Sequence, residues 1–244
     1  MTKWSDNYFI YSFQCNPHGK IRISAIAQIL QESAWMHAES CNAGYHSLKP
    51  EGLMWVLSGL KIFIKDALGW GESLKLKTWG KKYENLFAYR DFEVFDASGN
   101  EIKIQASSAW LLVDSKTHRP RRITPGLQRI PPELDSVYDA KPGQINLPAR
   151  MDSVRELKVL YSDIDVYNHV NNTKYIQWCI DSLDDYHSGK FQITEFEIRF
   201  VSEAHLNDEV VIFYQEINNG YVFQAKNKEL NKEIFRAQAK TSIQ

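Results

Sequence analysis

The chain has 244 residues, and its 29 Lys and Arg against 30 Asp and Glu leave a net charge of −1, which argues against coating nucleic acid or an anionic membrane through bulk charge. Hydrophobic residues make up 43% of the chain and aromatic residues 13%, which excludes a disordered polypeptide. No apolar run approaches the roughly 20 residues of a membrane-spanning helix, and the N-terminus lacks the pattern of a secretory signal, so we expect a cytoplasmic protein without membrane insertion.

The first predicted helix runs from Ser24 to about Cys41, where apolar residues recur at helical spacing. Ser24 is a suitable N-cap because its hydroxyl can accept a hydrogen bond from a free backbone N–H. His37 shares the apolar face, so we expect it to be packed in the core. The residues of that face are Ile26, Ile29, Leu30, Ser33, Ala34 and His37.

Several strand-like segments follow this helix. Apolar and polar side chains alternate from Ile102 to Leu112, as a half-buried strand requires. The segments are the stretch from Leu60, then LKLKTW, AYRDFEVFD and EIKIQASSAWLLVD.

Proline marks a connector in the middle of the chain. Six of the eight prolines lie between Pro120 and Pro148, where no periodic pattern is present. We therefore predict an N-terminal domain over residues 1–118, a linker over 119–153 and a C-terminal domain over 154–244.

The second half repeats the organisation of the first. A predicted helix runs from Asn172, a suitable N-cap, to about Leu183, and the stretch from Phe196 aligns without a gap on the stretch from Leu60. The offset is 196 − 60 = 136 for the strands and 172 − 24 = 148 for the helices, so the first half has 12 extra residues, which we assign to the CNAGYHSLKPEGLM region. The later strands are VVIFYQEI, YVFQAKN and EIFRAQAK.

This duplication predicts an α+β fold in which two antiparallel sheets each wrap a long central helix. Two such units can pair edge to edge and so protect their exposed strands.

Polar groups are densest directly before the second helix. A turn and a helix cap explain one or two Asx residues but not a histidine with two carboxylates beside it. The N-terminus of a helix presents free N–H groups that suit a developing oxyanion, and a nearby carboxylate can act as a base toward water. The segment is therefore suited to hydrolysing an activated acyl group. Its polar residues are Asp163, Asp165, Asn168, His169, Asn171 and Asn172.

Three cysteines, Cys15, Cys41 and Cys179, have no metal-binding spacing, and their number is odd. We expect neither a disulfide framework nor a zinc site, and we predict no metal and no cofactor.

Sequence segments in both halves resemble those of a known protein family. The second half contains DIDVYNHVNNTKYIQW (residues 163–178) and FEIRFVSEAHLNDEV (196–210), and the first contains ILQESAWMHAES, MWVLSGLKIFI before WGESLKLKTW, and RDFEVFDASGNEIKIQASSAWLLVD. Over nearly its whole length the chain resembles the acyl-acyl-carrier-protein (acyl-ACP) thioesterases of bacteria and plant plastids, which have a double hotdog fold. Because no plastid transit segment precedes the first strand, the sequence is similar to the bacterial members.

The resemblance implies a tandem double hotdog that hydrolyses acyl-ACP thioesters and releases free fatty acids. It implies three catalytic residues, Asp165, His169 and Glu203, with the thioester carbonyl at the N-terminus of the Asn172 helix. Glu203 would activate water, and Asp165 would orient it or share the task.

Two positions depart from the family pattern. The family often has asparagine two residues before the histidine, where this chain has Tyr167, so Asn168 is a supporting candidate together with Asn172. The cysteine that follows the family's glutamate is Ala204 here. A cysteine nucleophile is therefore excluded at this position, and water attack assisted by a carboxylate is favoured.

The first half has no counterpart of the catalytic set, since Ala67 aligns with Glu203. The resemblance implies that this half holds the acyl chain. The candidates for its lining, for each of which core packing is the alternative, are Leu30, Ala34, Trp55 and Leu57.

Basic residues form two clusters, which by default are solvated faces. The cluster at the start of the connector is the better candidate for docking acidic acyl carrier protein. It comprises Lys116, Arg119, Arg121 and Arg122, and the other cluster comprises Lys75, Lys77, Lys81 and Lys82.

Other functions stay open at this point. An acyl-CoA thioesterase would use the same chemistry on another thiol carrier, and a non-enzymatic acyl-binding hotdog protein would follow if Tyr167 disables the site. A lyase of the hotdog dehydratase type is more distant because no matching motif is present. The sequence leaves the acyl chain length and the choice between monomer and homodimer open.

Overall fold

The computed structural model describes residues 2–133, 142–151 and 153–243. The chain divides into two units, Met1–Pro142 and Gly143–Gln244. The predicted domain limits at 118 and 154 stay a prediction, and residues 134–141 and 152 of the predicted linker lie outside the described residues. No described helix is long and apolar enough to cross a membrane.

Unit 1 is a five-stranded antiparallel sheet with one long helix. The strand order is β1-β3-β4-β5-β2. Its elements are β1 (Lys3–Phe9), α1 (Ile23–Ser40), α2 (Tyr45–Leu48), β2 (Leu53–Ile64), β3 (Ser73–Glu84), β4 (Phe87–Asp96) and β5 (Ile102–Asp114).

Unit 2 repeats this arrangement, with strand order β7-β10-β9-β8-β6. Strands β2 and β7 end at Ile64 and Phe200, 200 − 64 = 136 positions apart, in agreement with the ungapped alignment of the two halves. The elements are β6 (Ser153–Lys158), α3 (Asn172–Ile180), α4 (Asp184–His187), β7 (Phe191–Phe200), β8 (Glu209–Ile217), β9 (Gly220–Asn227) and β10 (Glu233–Ile243).

Two strands had no counterpart among the strands predicted from sequence, namely β1 and β6. Each pairs on one side only, β1 with β3 and β6 with β8. Their sequences, KWSDNYF and SVRELK, are rich in polar residues because an edge strand needs few buried side chains. The apolar alternation that marks a buried strand is therefore weak in both.

The helix limits differ from the predicted ones. Helix α1 begins at Ile23, so Ser24 lies inside it, and its N-cap is Arg22. Helix α3 is capped by Asn171 instead of Asn172, and it ends at Ile180, where the chain continues into a turn. Since α1 has 18 residues and α3 has 9, nine of the extra residues of the first half lie in the helix itself rather than after it.

Helix α1 is held on the sheet of unit 1 by polar as well as apolar contacts. The hydroxyls of Tyr8 and Ser33 share a hydrogen bond of 2.8 Å. His37 is fully buried, as predicted, and its Nδ1 accepts a 2.9 Å hydrogen bond from Nη1 of Arg90. Burial lowers the pKa of Arg90 to about 10. The inner face of this unit therefore combines an apolar core with a buried polar contact near the end of the helix.

The start of the predicted linker packs on unit 1. Ile123 is buried in a cluster with Leu48 and Leu112, and Ile130 is buried against Ala43. Residues 119–121 also pair with the end of β5. This part of the connector is therefore an ordered extension of the N-terminal core.

Lys81 departs from the prediction of a solvated basic face. Its side chain is only 7% exposed, and Nζ lies 3.2 Å from Oδ2 of Asp91, which is 1% exposed. The hydroxyl of Ser107 also donates a hydrogen bond to Asp91. A buried lysine needs such a partner because an isolated charge is costly away from water.

We expect Asp91→Asn to lower the free energy of unfolding by about 3–5 kcal/mol, since it leaves the Lys81 charge buried without its counter-ion. Glu84→Gln is the matched control, because the Lys82–Glu84 pair is 42% and 46% exposed and should contribute at most about 1 kcal/mol. Urea unfolding of both variants measures the difference. Equal losses would contradict the assigned role of the buried pair.

Candidate active site

The loop before α3 is a tight hairpin. Ile164 and Val170 form an antiparallel bridge. Inside it, the Asp165 N–H donates to the His169 carbonyl and the Asn168 N–H donates to the Asp165 carbonyl. Asn168 has φ of +64°, a left-handed conformation that asparagine tolerates better than most side chains. The predicted supporting residue Asn168 thus has a clear backbone role in the turn.

The start of α3 is held by side chains of the same loop. Oδ1 of Asn171 accepts hydrogen bonds from the backbone N–H and the hydroxyl of Thr173. Asp163, one of the polar residues before the second helix, accepts a hydrogen bond from the Leu160 N–H and lies 3.2 Å from Nζ of Lys174. Asn172 is the first residue of the helix and is half-buried.

A backbone hydrogen bond from Val170 N–H to the Ala204 carbonyl joins this loop to the segment after β7. As a result Nε2 of His169 lies 3.4 Å from Oε2 of Glu203. Their side chains are 21% and 35% exposed, so both are open to a substrate and to water.

Tyr175 is hydrogen-bonded to the residue that follows Glu203. Its oxygen accepts a 3.0 Å hydrogen bond from the Ala204 N–H, which is buried. Burial raises the pKa of Tyr175 well above its ordinary value, and the carboxylates of Glu203, Asp165 and Asp208 add to the rise while the Ala204 hydrogen bond opposes it. His169 and Glu203 are therefore in direct contact, and the charges of Glu203 and Asp165 both act on the Tyr175 hydroxyl.

His205 extends the site on its exposed side. Its ring packs edge-on against that of His169, with centroids 5.2 Å apart. Asp208 accepts a hydrogen bond from the His205 backbone N–H, and its Oδ2 lies 4.0 Å from Nδ1 of the ring.

Unit 1 contains the same backbone loop with different side chains. Asn16 N–H donates to the Lys20 carbonyl, Gly19 N–H donates to the Asn16 carbonyl, and Ile21 N–H donates to the Leu68 carbonyl. These bonds correspond to those of Asp165, Asn168 and Val170. The left-handed position is taken by Gly19, with φ of +74°.

The side chains that could carry chemistry are replaced in this copy. Lys20 stands where His169 does, and its ammonium donates to the Ala67 carbonyl at the position that corresponds to Glu203. Ala67 has no carboxylate. Unit 1 therefore keeps the loop and lacks the His–Glu pair.

The predicted acyl-lining residues lie in unit 1. Leu30, Ala34 and Leu57 are buried in its core. Trp55 is half-buried, and its indole N–H donates to the Ala43 carbonyl at 2.8 Å.

The predicted docking arginines lie where the chain leaves β5. Arg119, Arg121 and Arg122 are exposed, and no carboxylate among the described residues forms an ion pair with them. The Arg121 charge helps to lower the pKa of Asp114, after the larger contribution of hydrogen bonds from Thr117.

Sequence reasoning missed Tyr175 and Asp208. Neither residue stands out in the sequence, because a tyrosine on an apolar helix face and an aspartate in a turn are both common. The hydrogen bond of Asp208 to the N–H three residues earlier has a counterpart in unit 1, where Glu72 accepts from Gly69. The ungapped alignment of the two halves places Glu72 over Asp208, and this pair of carboxylates was the signal that the sequence offered.

The chain matches the family models of the acyl-ACP thioesterase N-terminal domain over residues 1–130 and C-terminal domain over residues 148–243. Among curated proteins, the chloroplast acyl-[acyl-carrier-protein] hydrolase of Cuphea viscosissima is 29% identical over 72% of this chain and 46% of its own length. The dodecanoyl-[acyl-carrier-protein] hydrolase of Cinnamomum camphora is 24% identical over 82% of this chain and 56% of its own. The chain spans about half the length of the curated relatives it matches.

Solved structures show the same fold. An acyl-ACP thioesterase from Bacteroides thetaiotaomicron has a TM-score of 0.83 at 25% identity and covers 98% of both chains. The 12:0-ACP thioesterase from Umbellularia californica has a TM-score of 0.83 at 21% identity, over 99% of this chain and 94% of its own. The expected likeness to acyl-ACP thioesterases is confirmed, and the fold has extensive antiparallel sheet and few helices.

We expect Tyr175→Phe to lower the free energy of unfolding by about 1–3 kcal/mol, because it leaves the buried Ala204 N–H without an acceptor. Tyr161→Phe is the matched control, since Tyr161 is 83% exposed and its loss should change stability by less than about 0.5 kcal/mol. Chemical denaturation of the two variants makes the comparison. If Tyr175→Phe were as stable as the control, the Tyr175–Ala204 hydrogen bond would not hold the site together.

Proposed function

The chain belongs to the acyl-ACP thioesterase family, and from this premise we propose that it hydrolyses the thioester of an acyl-acyl-carrier-protein and releases free fatty acid. The observation that carries the proposal is the 3.4 Å approach of His169 Nε2 to Glu203 Oε2, beside the N-terminus of α3. A general base, a hydrogen-bond donor and a helix N-terminus are what the hydrolysis of an activated acyl group needs.

The proposed architecture is a tandem double hotdog in which the sheet of each unit wraps its helix. The repeated strand order and the repeated loop before each helix support it. The proposed domains are residues 1–118 for acyl binding, a linker over 119–153 and a catalytic domain over 154–244.

The thioester carbonyl is proposed to bind at the N-terminus of α3. The N–H groups of Thr173 and Lys174 already donate to Asn171, whereas the N–H of Asn172 has no acceptor among the described residues. Asn172 N–H is therefore the proposed backbone donor to the developing oxyanion, with His169 as a second donor. One such donor typically contributes about 2.7–4 kcal/mol to the transition state.

Glu203 is the proposed base that takes a proton from the attacking water. Asp165, in the adjacent turn, orients that water or shares the proton transfer, and Asn168 supports the turn. The water oxygen bonds to the carbonyl carbon, and the carbon–sulfur bond then breaks. The thiolate leaves readily because a thiol is much more acidic than an alcohol. Ala204 follows Glu203, so no cysteine nucleophile stands there.

The acyl chain is proposed to lie in unit 1. Leu30, Ala34 and Leu57 offer an apolar lining, and Trp55 adds an aromatic surface whose N–H is already bonded. Arg90 and His37 occupy the part of the inner face near the end of α1. An apolar chain would therefore lie nearer Leu30, seven residues before His37 in α1, because a buried guanidinium is an unfavourable neighbour for methylene groups.

The arginine cluster of Arg119, Arg121 and Arg122 is the proposed docking surface for the carrier protein. Its exposed guanidinium groups have no described carboxylate partner, so they are available to an acidic protein. Charge pairing of this kind speeds association and makes it depend on salt.

We expect Glu203→Gln and Asp165→Asn to lower the turnover of acyl-ACP by about 10²–10⁴-fold, because each removes a group that positions or deprotonates water. Asp184→Asn is the matched control, since this fully exposed carboxylate in unit 2 lies outside the cluster and its loss should leave turnover unchanged. Release of carrier-protein thiol measures turnover. Near-normal rates in both site variants would refute the assignment.

The same acyl group should be offered on acyl carrier protein and on coenzyme A. Faster hydrolysis on the carrier protein supports the proposal, and faster hydrolysis on coenzyme A replaces it with an acyl-CoA thioesterase. Tight acyl binding without any thiol release would make the chain a binding protein.

We expect the double variant Arg121→Glu with Arg122→Glu to raise KM for acyl-ACP and to spare a small thioester, because only the carrier protein needs the docking surface. The control Lys228→Glu with Lys232→Glu makes the same change in net charge on the exposed turn between β9 and β10. Steady-state kinetics at two salt concentrations compare the variants. An equal rise in KM for both substrates, or for both variants, would remove the docking proposal.

A further inference from the structure

Three possible metal ligands converge at the candidate active site. Among the described residues, His169, Glu203 and His205 each present one donor atom, and these atoms all lie within 4.8 Å of one another. Nothing in the proposed hydrolysis requires His205.

The closest pair already has the spacing of zinc ligands. Zinc binds imidazole nitrogen and carboxylate oxygen at about 2.0–2.2 Å, so two ligands at a tetrahedral angle lie about 3.3 Å apart. The distance from Nε2 of His169 to Oε2 of Glu203 is 3.4 Å. A metal ion could therefore bridge these two groups with almost no rearrangement.

The third ligand needs a small movement. His205 must approach by roughly 1.5 Å to reach the same spacing, and its side chain is 55% exposed, so a change of rotamer meets little resistance. Oδ2 of Asp208 lies 4.0 Å from the ring Nδ1, beyond hydrogen-bond distance, so with Nε2 on the metal the same movement would have to bring these two groups together. A carboxylate that accepts from the second ring nitrogen is the usual partner of a metal-bound histidine.

The donor set indicates the class of metal. Two imidazoles and one carboxylate suit zinc and other divalent transition metals, whereas calcium and magnesium prefer oxygen ligands throughout. Three protein ligands leave a fourth position open to water or to a product carboxylate. The expectation of no zinc site rested on cysteine spacing, which cannot detect ligands that are 34 positions apart in the chain.

We propose that His169, Glu203 and His205 form a binding site for a divalent transition-metal ion, with Zn²⁺ as the probe, and that the bound ion inhibits hydrolysis. The inhibition rests on the proposed function, because the metal would withdraw the base Glu203 and the donor His169 from the reaction. Binding itself does not rest on it.

Unit 1 sets the expected stoichiometry. Its equivalent loop carries Lys20, Ala67 and Gly69 in place of the three ligands, so it supplies no donor set. The proposal therefore requires one high-affinity ion per chain, held by the loop of unit 2.

The test is calorimetric titration of the metal-free full chain with Zn²⁺, together with the visible absorption of bound Co²⁺ as a readout of its coordination. We expect one site, and we expect Asp208→Asn to weaken it about 10–100-fold through loss of the outer partner. His205→Ala should weaken it further. His187→Ala should bind as the unaltered chain does, and it is matched because His187 also lies near an aspartate, at 3.8 Å.

Activity supplies the second readout, with each variant compared to its own metal-free rate. Zn²⁺ should inhibit the unaltered chain and His187→Ala at concentrations that leave His205→Ala active. The absence of a site, or equal affinity in His205→Ala, would overturn the proposal, and activation by Zn²⁺ would overturn its inhibitory part. A metal-free protein that binds Zn²⁺ but never hydrolyses a thioester would sink the proposed function and leave the metal site standing.

Discussion

The hydrogen bond from Val170 N–H to the Ala204 carbonyl is the constraint on which the candidate site depends. His169 precedes one end of this bond and Glu203 precedes the other, so one backbone contact sets the distance between two residues 34 positions apart. Tyr175 also fixes the position of Ala204, because its hydroxyl oxygen accepts a hydrogen bond from the Ala204 N–H. The two hydrogen bonds of Ala204 satisfy both of its backbone groups in a buried setting, where unpaired groups would be costly. The position of the carboxylate is thus a consequence of backbone pairing.

The loop before the helix has the same backbone hydrogen bonds in both units but different side chains. Unit 1 has the same hairpin hydrogen bonds between Asn16 and Lys20 and the same left-handed turn at Gly19. It also has the equivalent hydrogen bond from the loop to the segment after the strand, from Ile21 N–H to the Leu68 carbonyl. It lacks the His–Glu pair, since Lys20 and Ala67 stand in place of His169 and Glu203. The same backbone loop therefore carries two different sets of side chains, and the difference lies in a few positions, such as His169 and Glu203, that are partly exposed.

Two pairs of polar side chains are buried in unit 1. Arg90 and His37 pair beneath the end of α1, and Lys81 pairs with Asp91 elsewhere in the sheet. Each pair is costly to bury and is stabilised by the contact between its members and by neighbouring hydroxyls, Thr78 beside Arg90 and Ser107 beside Asp91. Charged side chains therefore occupy part of the interior of unit 1 alongside apolar residues such as Leu30 and Ala34. Sequence patterning could not show this, because a basic residue in a polar strand usually faces water.

Periodicity and motif were sufficient for much of the molecule. Alternation and helical spacing predicted α1, α3 and eight of the ten strands, and the 136-residue offset appears in the ends of β2 and β7. The edge strands β1 and β6 escaped notice because pairing on one side demands little apolar patterning. The residues near Asp165 and His169 could be selected because they crowd into ten positions. The approach of Glu203, Tyr175 and His205 to them was decided only by tertiary structure, because it depends on hydrogen bonds between segments far apart in sequence, and no local pattern encodes a distance across the fold.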